Sequence, residues 1–189
     1  MLPAASSIPL GAKDCMAGTR LELLKAIDDW VVDASSTRCL LLTGMAGEGK
    51  SSVAHAIARQ LKDTAMPTLF FAFNRSDPSC KARQVIPTLA LQLSCSHATY
   101  LQHLRTLTDY ELKSRHITTQ YNSLLAPFLR AHMSLIPIVF IIDALDECPD
   151  TEEEAEDRHT LLNTLQAILN DNFLHNVRIF ITARPDKDI

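Results

Sequence analysis

Gly44-Met45-Ala46-Gly47-Glu48-Gly49-Lys50-Ser51 satisfies G-x-x-x-x-G-K-[ST], the phosphate-binding loop, without a mismatch. Its flanks separate it from an ordinary glycine turn. The apolar run Cys39-Leu40-Leu41-Leu42-Thr43 leads in as a strand, and Val53, Ala54, Ile57, Ala58 and Leu61 lead out at helical spacing. Strand, glycine loop, helix is the order the chemistry needs. The loop's backbone N–H groups and the positive end of the helix must converge on one anion. Three of the five glycines of the chain fall in this loop, where a tight anion cradle needs backbone freedom. Lys50 is expected to reach the β- and γ-phosphates of a nucleotide, and Ser51 to place its hydroxyl on Mg²⁺.

Working outward, Thr19 and Glu22 form a possible capping box, which opens a helix carrying Leu23, Leu24, Ile27, Trp30 and Val31 on one face. Asp33-Ala34-Ser35-Ser36 ends it. A helix is expected from about Ser51 to Asp63, broken by Met66-Pro67. The run Leu69-Phe70-Phe71-Ala72-Phe73 then reads as a strand of a parallel sheet covered on both faces. Three helical stretches follow. One is marked by Val85, Ile86, Leu89 and Leu93, with Pro87 signalling a kink or late start. The second carries Tyr100, Leu101, Leu104 and Leu107, and the third Leu124, Leu125, Phe128 and Leu129. Residues 137–142 form the most apolar strand, an amphipathic helix carries Leu161, Leu162, Leu165, Ile168 and Leu169, and Val177 to Thr182 is the last strand. Strands alternating with helices predict a single α/β domain with a parallel sheet.

Beyond the most apolar strand stands Asp143-Ala144-Leu145-Asp146-Glu147. The carboxyl ends of strands are where open α/β sheets bind ligands. In a chain with a phosphate loop, that position makes Asp143 the Mg²⁺-holding acid. Asp146 and Glu147, about one turn further on, are candidates to orient or deprotonate an attacking water. The bland alternative is a solvated acidic loop, and the upstream phosphate loop weighs against it. Arg184, in Thr182-Ala183-Arg184-Pro185, ends the last strand. From there it is either a sensor of γ-phosphate charge or an ordinary loop arginine.

The bulk composition narrows the partners. The chain has 189 residues, 47% hydrophobic and 21% charged, with a net charge of −4. No broad basic field exists to attract nucleic acid. No apolar run approaches membrane-spanning length, and the first residues lack a signal peptide's basic and apolar regions. Five cysteines without a C-x-x-C pair indicate reduced thiols, hence a cytoplasmic setting. Asn74-Arg75-Ser76-Asp77 loosely resembles the guanine-reading N-K-x-D, but it precedes Asp143 instead of following it. Asp146 also stands where the glycine of D-x-x-G belongs, so guanine specificity is not expected. The acidic run 152–157 is expected to be a solvated lead-in to a helix.

These pieces together resemble the NACHT-type nucleotide-binding domain of STAND NTPases, in particular the nephrocystin-like N-terminal domain of fungal NOD-like receptors. The resemblance rests on six segments. They are Cys15 with Gly18-Thr19-Arg20 and the helix to Trp30; Leu42 to Ser52 around the loop; Phe70 to Arg75; Ile86 to Leu93; Ile141-Ile142-Asp143-Ala144-Leu145-Asp146-Glu147-Cys148; and Ile181-Thr182-Ala183-Arg184-Pro185. It implies a three-layer P-loop NTPase fold, with a mainly parallel sheet covered by helices on both faces. It further implies an ATP/ADP-Mg²⁺ switch with slow hydrolysis, gating homo-oligomerisation or protein partners of a larger signalling receptor in innate immunity. Ser52 joins the phosphate-binding set, Asp146 or Glu147 assists hydrolysis, and Arg184 senses the γ-phosphate. The segment Gly18-Thr19-Arg20 is implied to lie near adenine. Residues 1–13 are expected to be a flexible tail. Residues 14–189 are expected to be a NACHT-type core that stops before the lid and winged-helix parts. Two other readings stay open: an ADP/ATP-binding interaction module without turnover, and a small-molecule kinase.

Overall fold

The computed structural model describes residues 20–131, 136–149, 151–152 and 154–185. The expected tail 1–13, Cys15, Gly18 and the Thr19 half of the capping box lie outside the described residues. The described residues form two compact units. One is built on a sheet (20–73, 136–147 and 176–185) and the other is helical (74–131, 148–149, 151–152 and 154–175).

In the sheet unit, β1 (Cys39–Thr43), β2 (Thr68–Ala72), β3 (Ile138–Asp143) and β4 (Val177–Ala183) pair in the order β1-β4-β3-β2. Every pairing is parallel, as the uninterrupted apolar runs predict. Each residue of β3 and β4 is buried, so these two strands are the centre of the sheet. Helix α1 (Leu21–Val32) packs on α2 (Lys50–Asp63), and α2 packs on β2, β3 and β4. The stripe Val53, Ala54, Ile57, Ala58 and Leu61 meets Phe70, Val139, Ile141 and Phe180, while α1 adds Ile27, Trp30 and Val31. Truncating a residue as enclosed as Ile141 to alanine costs about 2–5 kcal/mol.

Burial of Arg178 on this same face is explained by its partners. Its guanidinium donates to the carbonyl oxygens of Asp33 (2.8 Å) and Val31 (3.4 Å), satisfying groups that the end of α1 leaves unpaired. Trp30 Nε1 donates to Thr37 O at 2.7 Å and closes the same corner. The connection into β1 is thereby tied to β4.

The helical unit holds α3 (Val85–Ser96), α4 (Ala98–Thr106), α5 (Asp109–Lys113), α6 (Ile117–Gln120), a π-helix (Tyr121–Leu125), α7 (Ala126–Ala131) and α8 (Ala155–Asn170). Pro87 is the third residue of α3, where a helix needs no N–H donor, so it marks a late start and not a kink. The helix expected around Leu124–Leu129 is instead a π-turn running into α7. The widened turn frees carbonyls, and two of them find donors on α4: Tyr100 Oη donates to Leu124 O (2.8 Å) and His103 Nε2 to Ser123 O (2.9 Å). The short α5 was not expected from hydrophobic spacing. It is held by a capping box in which Thr108 Oγ1 accepts from Glu111 N–H and Glu111 Oε2 accepts from Thr108 N–H.

The acidic run is not wholly solvated. Glu154 pairs with Lys81 at 2.5 Å and Asp157 with Arg83 at 2.9 Å, joining the start of α8 to the turn before α3. Spacing could not show this, because the partners stand some seventy residues away in the chain. Cys39, Cys80, Cys95 and Cys148 form no disulfide among the described residues. No helix among the described residues is long and apolar enough to cross a membrane.

Candidate functional site

Every described candidate residue belongs to the sheet unit. The order β1-β4-β3-β2 places β4 between the strand that leads into the glycine loop and the strand that ends in Asp143. Side chains alternate along a strand. Asp143 therefore shares a face with Val139 and Ile141, and Thr182 shares one with Phe180. This is the face covered by α2, the helix that starts at Lys50.

The loop itself is left-handed at two points, Gly47 (φ 82°) and Gly49 (φ 77°), which any residue with a Cβ adopts only under strain. Gly49 is the N-cap of α2, so Lys50, Ser51 and Ser52 form its first turn and their N–H groups stand at the positive end of the helix dipole. Among the described residues no side chain caps that end. Lys50 Nζ is turned back into its own loop, donating to Gly44 O (2.6 Å) and Met45 O (2.8 Å). Glu48 Oε2 accepts from Met45 N–H at 2.7 Å, and a Cβ on Gly44 would collide with that oxygen. A side chain at 44 would push the exposed Glu48 carboxylate off Met45 N–H. Ala46 and Met45 are exposed.

Arg20 was not among the residues singled out as phosphate-binding. Its guanidinium donates to Glu48 O and lies 3.5–3.6 Å from where a Gly49 Cβ would point, with its own backbone left-handed (φ 63°). A second cation therefore lies against the loop beside Lys50. The resemblance implied that Gly18-Thr19-Arg20 lies near adenine, and nothing in the sequence signalled the contact of Arg20 with the loop.

Asp143 is 3% exposed. Its Oδ1 accepts from Thr182 Oγ1 at 2.5 Å, while Thr182 Oγ1 accepts from Ala144 N–H at 2.9 Å. Asp143 Oδ2 accepts no hydrogen bond from a described residue. One oxygen is fixed and the other is left over, which suits a single-oxygen ligand for a hard cation. Among the described residues no three His, Cys, Asp or Glu side chains converge as a metal cage. Mg²⁺ in nucleotide sites needs none, because one carboxylate, a hydroxyl, waters and phosphates complete its shell.

Ala144 takes a left-handed turn (φ 53°) out of β3 into a 3₁₀ turn, Leu145–Glu147, closed by Glu147 N–H to Ala144 O at 2.8 Å. The two acids of that turn have different surroundings. Asp146 is buried, with Oδ1 accepting from Arg184 N–H (3.2 Å) and Oδ2 paired with Arg184 Nε (3.1 Å). Glu147 is about a quarter exposed, and its Oε1 lies 3.6 Å from Arg184 Nη2. The structure therefore joins Arg184 to both acids. Spacing alone left open which of the two faces solvent.

Residues 18–184 match a family described as Nephrocystin 3, N-terminal. No curated protein matches the chain. Among solved structures, a Walker-type ATPase of Pyrococcus abyssi superposes with a TM-score of 0.53 at 16% identity, covering 87% of this chain and 44% of that one. This chain spans less than half of that protein's length, and at such identity the likeness is one of fold.

Proposed function

The chain belongs to the nephrocystin 3 N-terminal family and has the fold of a P-loop NTPase; from that premise we propose that it is an ATP/ADP-Mg²⁺ switch domain that hydrolyses ATP slowly. The observation that carries this reading is the placement of β4 between β1 and β3. It puts the open N-terminus of α2, the half-satisfied Asp143 and the Arg184–Asp146–Glu147 group at the carboxyl ends of neighbouring strands.

In this reading the N–H groups of residues 47–52 take the phosphates, and Lys50 exchanges its bonds to Gly44 O and Met45 O for phosphate oxygens. Ser51 and Asp143 would hold Mg²⁺, which would supply charge neutralisation for the phosphates when bound. Glu147 is the better placed of the two acids to accept a proton from water as its oxygen attacks the γ-phosphorus and ADP departs. Asp146, with both oxygens on Arg184, acts as the holder of that arginine. Arg184 then meets the charge spread over the γ-phosphoryl oxygens. Turnover is expected below about 1 s⁻¹, the low end for enzymes, as befits a switch. ATP and ADP should outcompete GTP and GDP, because no guanine-reading motif follows Asp143. The role as the switch of a NACHT-type, NOD-like signalling receptor with homo-oligomerising partners is proposed on the same footing.

Phosphate release from ATP by the purified chain, with Asp143→Ala alongside, tests the proposal. Mg²⁺-dependent release that Asp143→Ala abolishes together with Mg²⁺-dependent binding supports it. Nucleotide binding without any release above the Asp143→Ala background would make the chain a binding-only module, and failure to bind either nucleotide would overturn both.

A further inference from the structure

The helical unit contains a cavity of about 430 Å³, within the size range of small-molecule sites. Its walls come from two segments, the turn that leads into α3 and the stretch from Leu112 to Gln120. Four cations line it (Lys81, Arg83, Lys113 and Arg115), and no aspartate or glutamate does. The acids that pair with three of them stand outside the lining. Glu154 holds Lys81 and Asp157 holds Arg83, each pair about a third exposed or less on most sides, so these two cations are fixed in place. The Lys113–Asp109 pair is open to solvent and contributes little. Arg115 has no partner among the described residues.

Two further polar atoms, on residues of the lining, have no hydrogen-bond partner among the described residues. Gln120 is 4% exposed; its Nε2 donates to Ser114 O at 3.0 Å, which fixes the amide's orientation and leaves Oε1 buried without a partner. Arg83 Nε is buried without an acceptor. A buried acceptor and a buried donor left unpaired each cost free energy, and since both atoms lie below the accessible surface, each must turn toward the cavity to meet a ligand. The π-helix begins at the residue after Gln120, and such turns are frequent at functional sites.

We propose that this cavity binds a small phosphate ester that also carries hydroxyl groups, its phosphate oxygens taken by Arg115, Lys113 and Arg83 and a hydroxyl by Gln120. Planar guanidinium groups suit phosphate oxygens, and an acceptor-only atom such as Gln120 Oε1 requires a ligand donor, which the hydroxyl groups of the ester supply. The cavity shares no residue with the glycine loop, so the site stands independently of the nucleotide reading.

The test is calorimetric titration with fructose 1,6-bisphosphate, using inorganic phosphate as the comparison, on wild type, Lys50→Ala, Arg115→Ala and Gln120→Leu. Arg115 is exposed and unpaired, so its removal leaves the fold intact and circular dichroism should not change. Binding of the bisphosphate that survives Lys50→Ala, weakens about tenfold or more in Arg115→Ala and exceeds that of inorganic phosphate supports the site. Binding lost in Lys50→Ala would place the ligand on the glycine loop and overturn it. No measurable binding at millimolar concentration, or equal affinity in wild type and Arg115→Ala, would overturn it as well. Equal affinity in folded Gln120→Leu would remove the hydroxyl-recognising part.

Discussion

Thr182 on β4 donates its hydroxyl to Asp143 on β3 at 2.5 Å, and the same oxygen receives Ala144 N–H at 2.9 Å. One hydroxyl thus orients the carboxylate at the strand end and holds the left-handed residue that turns the chain away from it. A small polar side chain at 182 sets the direction of Asp143 Oδ2.

Thr182→Val keeps the shape and removes the hydroxyl. Asp143 loses its donor in a buried setting and Ala144 N–H its acceptor in a half-buried one. The expected cost is about 1–3 kcal/mol of stability, the price of groups left unsatisfied. Urea unfolding should show a lower midpoint at an unchanged slope. An unchanged midpoint would mean that water replaces the hydroxyl on both partners.

Lys50→Ala should weaken ATP affinity about tenfold or more, since one charge-assisted bond of roughly 1.5–3 kcal/mol spans at least a decade. Stability should change little, because the bonds that Lys50 makes go to carbonyls at the edge of an exposed loop. Equal affinity of wild type and folded Lys50→Ala in a titration would remove the nucleotide assignment of the loop.

Asp146→Asn and Glu147→Gln should fail differently. Asp146 is buried and carries two of the contacts to Arg184, so Asn at 146 should lower stability by about 1–3 kcal/mol as well as hydrolysis. Gln at 147 should leave stability and nucleotide binding nearly unchanged, since its 3.6 Å pair is partly solvated. Hydrolysis should fall by about 10²-fold, the scale of a lost general base. A wild-type rate in Glu147→Gln, measured by single turnover, would move the base elsewhere.

Asp33, at the end of α1, should titrate far below its ordinary 3.8. Hydrogen bonds from Ser35 and Ser36 to its carboxylate hold it down at about 2. A depressed folded value means that this turn contributes stability in full above about pH 4, and that the contribution is lost as pH falls through 2. The carboxyl carbon shift in NMR should show a midpoint near 2 in wild type, rising toward 3.8 when both serines are replaced by alanine. A wild-type midpoint already near 3.8 would refute the turn's role.

Some of this was written in local order. The loop 44–51 reads directly because the anion cradle, the preceding strand and the following helix are contiguous, and their periods are short-range properties. The parallel sheet was legible for the same reason: residues 138–142 and 179–181 are apolar without alternation, which two-sided burial demands. Boundaries shifted by only a residue or so. Helix α2 starts at Lys50 and not Ser51, because Gly49 supplies the left-handed cap.

The remainder depended on residues distant in sequence meeting in space. Only the strand order decided that β4 would enter between β1 and β3, so that Thr182 could reach Asp143 and Arg184 could grip Asp146. The amino-acid sequence by itself determined which groups could bind phosphate and metal, because that capacity resides in residue type and local spacing. Tertiary structure alone decided how those groups are shared, since a hydrogen bond or ion pair depends on distances of a few ångströms that no local period encodes. The same holds for the ion pairs of Glu154 and Asp157 with Lys81 and Arg83, which turned an apparently solvated acidic run into one wall-support of a cationic cavity.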